Sequence, residues 1–320
     1  MEGPLTPQDN AYELMKLFPN GDKVFEVTSR YDDLLTMEGR PGYEPGDTLA
    51  LIVPFLVLHD ISEADITASA TRATLTGGAD KLVSRLKSEA WQVFCITTTY
   101  EQYAQYVTDK LGIAGENVAC TPFPLDRYKD MLCQEDASLL REMERVILSI
   151  ADDDAMIKSK LDVYFWKSLP RTRLGNAIKE VKPVGGWRKV EAIEAFCRRL
   201  DCTLADWAVV GDSITDCRIL KEVDKAGGLA IAFNANQYAL PYATLSLAST
   251  HISDLAPVLE IWQENGRQGV EEFTINMAGN GCNGKRSCFH WLADSNDLHE
   301  IIALHRRLRK LVREEAGKLG

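Results

Sequence analysis

The stretch Ala208-Val209-Val210-Gly211-Asp212-Ser213-Ile214-Thr215-Asp216 decides how this chain is read. Three apolar residues run into a glycine, an aspartate follows at once, and a second aspartate comes four residues later. Such a run bounded by glycine reads as a buried strand entering a tight turn. In open α/β sheets the carboxyl ends of the strands form the ligand crevice. Asp212 is therefore expected to aim its carboxylate into that crevice, with Asp216 on the first turn of the next helix. Two hard oxygen ligands placed there suit Mg2+, which keeps several waters and bridges to phosphate. A turn aspartate followed by an acid at a helix N-terminus would spell the same letters.

Outward from this stretch the periodicity alternates. Helices are expected over about 187–200 and 216–224, and strands at Leu229–Phe233 and Thr244–Leu247. Upstream, Trp91–Ile96 and Asn117–Cys120 read as strands between helices at about 77–90 and 100–111. This βαβ alternation predicts an α/β fold with a parallel sheet covered on both faces. Residues 20–72 read instead as a helical unit, with helices near 22–37, 49–58 and 62–70 and a Gly- and Pro-rich loop at Gly39–Gly46. Ser62 followed by Asp65 has the form of an N-cap pair. Residues 121–179 are charged and mostly helical. The chain ends in an amphipathic helix near 296–316, whose basic run His305–Lys310 reads as a solvated face.

Two more elements carry chemistry. Phe94-Cys95-Ile96-Thr97-Thr98-Thr99 is a strand ending in three hydroxyls, which with free backbone N–H groups can hold a phosphoryl oxygen or can simply cap a helix. In Val184-Gly185-Gly186-Trp187-Arg188-Lys189 a glycine pair opens a helix with Lys189 in its first turn. A cation there opposes the helix dipole and points to an anionic partner. Lys182 competes for the same role.

Hydroxyl, then lysine, then GDxxxD, each near one edge of one sheet, resembles motifs two to four of the haloacid dehalogenase (HAD) superfamily. The stretches Thr76–Ile113 and Gly227–Ala243 resemble phosphoserine-phosphatase-like members of it. The likeness covers roughly residues 74–120 and 180–260. It implies a Rossmannoid parallel sheet with a core over 1–19, 73–120 and 180–265, and a helical cap over 20–72 inserted after motif one. Residues 121–179 would be a helical insertion or second lid, and 266–320 a C-terminal extension. The opening Met1-Glu2-Gly3-Pro4 is similar to the end of a DxEGP variant of motif one, from an archaeal and bacterial group sometimes labelled as associated with energy-converting hydrogenases. By that likeness Glu2 is the acid–base residue, Thr97 (or Thr98) and Lys189 bind the phosphoryl group, and Asp212 and Asp216 hold Mg2+. The nucleophilic Asp would fall just ahead of Met1. Asp9 and Asn10 are not favoured in its place, since they fall on an expected helix.

The implied function is a Mg2+-dependent phosphatase of a small phosphorylated metabolite acting through an aspartyl-phosphate. The alternative is a non-catalytic HAD-fold binding or assembly protein. Dehalogenation fits less well, because the paired Asp212 and Asp216 have no use in it.

Composition narrows the partners. Of 320 residues, 47 are acidic and 36 basic, a net charge of −11 that disfavours wrapping nucleic acid. Eight cysteines are scattered without a CxxC pair, which suits reduced thiols in a cytoplasmic setting. No apolar run approaches the roughly 20 residues a bilayer requires, and no membrane role is expected. Cys282, Cys288 and His290 lie close together in a Gly/Asn-rich stretch, but with fewer ligands and wider spacing than zinc requires.

Overall fold

A computed structural model describes residues 1–278, 287–293 and 298–318. The first helices are α1 (Asn10–Met15), α2 (Gly21–Glu38), α3 (Thr48–Leu51), α4 (Val53–Leu58) and α5 (Glu63–Thr71). Their boundaries follow local chemistry. Gly39 adopts φ 70° and sends its N–H back to Leu35 and Thr36, closing α2. Ser62 and Asp65 form a reciprocal capping box at the start of α5.

Helix α6 (Ala79–Ser88) precedes β1 (Cys95–Tyr100), α7 (Glu101–Lys110) and β2 (Val118–Thr121). Four further helices follow: α8 (Leu125–Lys129), α9 (Gln134–Ser149), α10 (Asp154–Val163) and α11 (Gly175–Glu180). Alternation then resumes with α12 (Trp187–Leu200), β3 (Ala208–Gly211), α13 (Cys217–Ala226), β4 (Leu229–Phe233) and β5 (Leu245–Ser249). The last elements are α14 (Ala256–Ala278, kinked at Gly266), β6 (Ser287–Trp291) and α15 (His299–Arg313).

The architecture is mixed α/β with parallel sheets. Strand β4, Leu-Ala-Ile-Ala-Phe, is buried throughout, as expected of a strand covered on both faces. It pairs in parallel with β3 on one side and β5 on the other. Strand β6 adds an antiparallel edge to β5. It escapes the sequence pattern because it is short and adjoins a Gly/Asn-rich stretch that reads as loop.

The strands do not form one continuous ladder. Strands β1 and β2 make a separate parallel pair, beside the four-stranded order β3-β4-β5-β6. Between β1 and β3 lies a mainly apolar cleft of about 190 Å³, walled by residues including Val93, Cys95, Ile193, Val209 and Leu259. Residues 91–94, expected as strand, carry no ladder there, and β1 begins at Cys95. Their side chains pack instead: the Phe94 ring sits 4.9 Å from Phe196 and 4.7 Å from Trp207. Among the described residues no helix is long and apolar enough to cross a membrane.

Candidate functional site

The carboxyl ends of β1 and β3 open on a pocket of about 100 Å³. Glu2, Thr97, Thr98, Lys189, Asp212 and Asp216 all line it. Lys182 does not; it is exposed, beyond α11. The folding of three turns brings the six together.

The turn after β3 is built on Gly211. A Cβ at that residue would lie 2.6 Å from the Cβ of Asp216, so only glycine lets the helix entry fold back on the strand. Asp216 then accepts the Asp212 and Ser213 backbone N–H groups at 3.0 and 3.2 Å through Oδ2. Its Oδ1 accepts the Lys189 ammonium at 2.6 Å, and Lys189 also donates to Thr215 Oγ1 at 3.1 Å. Burial pushes the Asp216 carboxyl up; Lys189 and the Asp212 N–H outweigh it and hold the group below the usual range. One anionic partner of Lys189 is thus within the chain, and the lysine still lines the pocket.

The glycine pair before α12 answers a close approach. A Cβ on Gly185 would stand 1.9 Å from the Pro45 carbonyl oxygen. The loop between α2 and α3 lies against this turn: Glu44 Oε2 accepts the Trp187 N–H at 3.0 Å, and Arg188 pairs with Asp47. The same loop covers the hydroxyl end of β1, where a Cβ on Gly46 would meet Thr98 Cγ2 at 2.8 Å. Thr97, Thr98 and Thr99 are all buried, and the Thr97 hydroxyl donates to that of Thr99 at 2.8 Å. Segment 20–72 therefore closes one side of the pocket.

Glu2 accepts the Asn10 N–H at 2.8 Å, and burial, aided by repulsion from Asp9, pushes its carboxyl to about 7. Asp9 caps α1 through the Tyr12 N–H and lines the pocket; Asn10 is buried in α1. Two acids from α2, Asp32 and Asp33, also line the pocket, pushed by burial to about 7 and about 6. Asp32 is held by the Tyr43 hydroxyl at 2.5 Å and the Gly46 N–H at 3.1 Å. Nothing in sequence distinguishes them from solvated acids of an amphipathic helix.

The C-terminal helix corrects the sequence reading most sharply. The basic run is not a uniformly solvated face: His305 and Arg309 are buried, as is Arg313 one turn beyond the run. Spaced by four, they share one stripe of α15, of which Arg309 and Arg313 line the pocket. Arg309 and Arg313 both donate to Asp212 Oδ2, the latter at 3.1 Å. His305 Nδ1 accepts the Ala235 N–H at 3.0 Å, and burial depresses its imidazole to about 3, keeping it a neutral acceptor. Spacing alone does not single them out, since Arg306 and Lys310 are also four apart and are exposed.

These contacts decide whether Asp212 and Asp216 fit Mg2+. One Asp212 oxygen is shared by two guanidiniums, and both Asp216 oxygens are bonded to the lysine and the backbone. Among the described residues no group of three His, Cys, Asp or Glu side chains is set to hold a metal. The two carboxylates as arranged do not fit a Mg2+ site. Of the Cys/His candidates, Cys282 lies outside the described residues. Cys288 and His290 lie on β6, where His290 Nδ1 is 3.3 Å from Ser246 Oγ.

No family model and no curated relative matches the chain. Among solved structures it is similar to the gene product AF1437 from Archaeoglobus fulgidus, at 29% identity and a TM-score of 0.85. The match covers all of this chain and 97% of that one, so the likeness spans the pocket, the helical segment over it and α15 alike.

Proposed function

We propose that the pocket is a phosphoryl-transfer site and that the protein is a phosphoric monoester hydrolase of a small phosphorylated metabolite, of the HAD type. The observation that carries this is convergence. Glu2, Thr97, Thr98, Lys189 and the Gly211–Asp216 turn come from distant parts of the chain and line one small crevice at the carboxyl ends of parallel strands.

The division of labour follows from the chemistry of each group. The Thr97 and Thr98 hydroxyls and the Lys189 ammonium would hold the phosphoryl oxygens. Glu2, poised near neutrality, would give its proton to the leaving alkoxide oxygen and then take one from the attacking water. A carboxylate oxygen bonds to phosphorus as the ester oxygen leaves, and water afterwards cleaves the acyl phosphate to return the carboxylate and free phosphate. By the HAD likeness that carboxylate is the motif-one Asp, two positions ahead of the acid matched by Glu2. Segment 20–72 serves as the cap, excluding water and reading the substrate.

One observation favours the binding-only alternative: Asp212 is already neutralised by two arginines. The native polypeptide separates the two readings. Its intact mass reports whether a strand precedes Met1, and phosphate release from a panel of phosphorylated metabolites reports turnover. Release that falls at least tenfold in Thr97→Val supports the hydrolase. A folded protein that binds phosphate and releases none would establish binding alone.

A further inference from the structure

We infer that Arg309 and Arg313 take the charge-balancing place at Asp212 that a divalent cation would otherwise fill, so that the pocket accepts an anion through cationic side chains alone. The exclusion of the cation stands on geometry by itself; the anion's being a phosphate rests on the function proposed above.

Asp212, Arg309 and Arg313 are each buried, at 4%, 3% and 7% exposure. Buried charges persist only when paired and hydrogen-bonded. Here the pairing is convergent: both guanidiniums reach the same Asp212 oxygen, and Arg309 also donates to the Asp212 carbonyl at 3.1 Å. The arginines cannot easily swing aside. The α15 stripe is pinned at one end by His305 on the Ala235 N–H and at the other by Arg313 Nε on the Pro7 carbonyl at 3.2 Å. Gly3 also packs against the Asp212 carboxylate, so closely that a Cβ there would lie 2.5 Å from Cγ.

A cation approaching Asp212 would therefore meet two fixed positive charges. Lys189, Arg309 and Arg313 set three cations against the carboxylates of Asp212 and Asp216, with Asp9 4.0 Å from Arg313. Burial pushes both Glu2 and Asp9 toward their neutral forms. At Asp212 itself two guanidiniums face one carboxylate, so the local balance is positive in a chain whose net charge is −11, with Asp32 and Asp33 elsewhere on the lining. A Lewis acid is one way to give a site that sign; a guanidinium pair is another.

The test is Mn2+ binding followed by electron paramagnetic resonance, on wild type, Asp212→Asn, Arg309→Met and Arg309→Met/Asp212→Asn. Wild type is expected to bind no Mn2+ below about millimolar, and Arg309→Met to gain a site at least tenfold tighter that the Asp212→Asn change abolishes. Stoichiometric Mn2+ on wild type that is lost in Asp212→Asn would overturn the inference, whether or not the arginine variants fold. So would a folded Arg309→Met protein that gains no site. In parallel, inorganic phosphate is titrated in EDTA and in Mg2+. Equal affinity in the two buffers supports the anion half, and binding only with Mg2+ overturns it. No phosphate binding in either buffer overturns the anion half together with the proposed function, while the Mn2+ result still decides the exclusion of the cation.

Discussion

Lys189→Met should change not only how stable the protein is but how its stability depends on pH. Lys189 and Asp216 form a buried ion pair at 2.6 Å, with side-chain exposures of 6% and 11%. Removing one partner of such a pair costs about 3–5 kcal/mol, because the other charge is left buried. That is a large fraction of a typical total of about 5–15 kcal/mol. In wild type the Asp216 carboxyl is held below its usual 3.8, so the pair's contribution is present above that value and is lost only as pH falls through the lower folded value. Without Lys189, burial is the largest influence on Asp216, and its folded value should rise above 3.8. The variant then loses stability as pH rises through that new value. The gap between wild type and variant should therefore widen from pH 4 to pH 7.5. Urea denaturation at both pH values measures it, and Lys189→Met/Asp216→Asn should recover most of the loss at pH 7.5. A gap that is the same at both pH values, or a double variant no better than the single one, would refute the reasoning.

Asp32, raised by burial from 3.8 to about 7, contributes stability fully present below 3.8 and lost as pH rises through about 7. Asp32→Asn should therefore gain on wild type between pH 4 and pH 8, by on the order of 3 kcal/mol in denaturation experiments; no change in the difference would remove the buried-acid assignment. Gly3→Ala should cost about 2 kcal/mol, since Gly3 has φ 96° and a Cβ there would lie 2.5 Å from Asp212 Cγ; a thermal melt matching wild type would contradict that packing. Ser62→Ala removes half of a capping box and should cost about 1 kcal/mol without affecting ligand binding, as parallel melts and phosphate titrations would show.

The strands and turns of the core were legible because their signals are local. Leu229–Phe233 is a continuous apolar run bounded by glycine, and the structure places β4 on those residues. Ser62 and Asp65 carry their capping box in four residues. The Gly185-Gly186 pair marked a turn, although only the fold shows that Pro45 is what crowds it. What depends on docking was not legible. The strand expected at Trp91 begins at Cys95, because residues 91–94 border the cleft between the two sheets and have no neighbour to pair with. Asp32 and Asp33 enter the site only because α2 packs over it. Arg309 and Arg313 belong to a helix with exposed arginines at 306 and 307, and nothing local says which of its faces is buried. The six residues picked out by motif share one pocket. The motif was blind to the arginines that neutralise its first aspartate.

The most direct test of the central claim, that this pocket holds a phosphoryl group, is calorimetric titration of the folded protein with tungstate, a phosphate mimic, near pH 7. We expect one site per chain, weakened at least tenfold by Lys189→Met and by Thr97→Val. No binding to wild type, or binding indifferent to both substitutions, would contradict the claim.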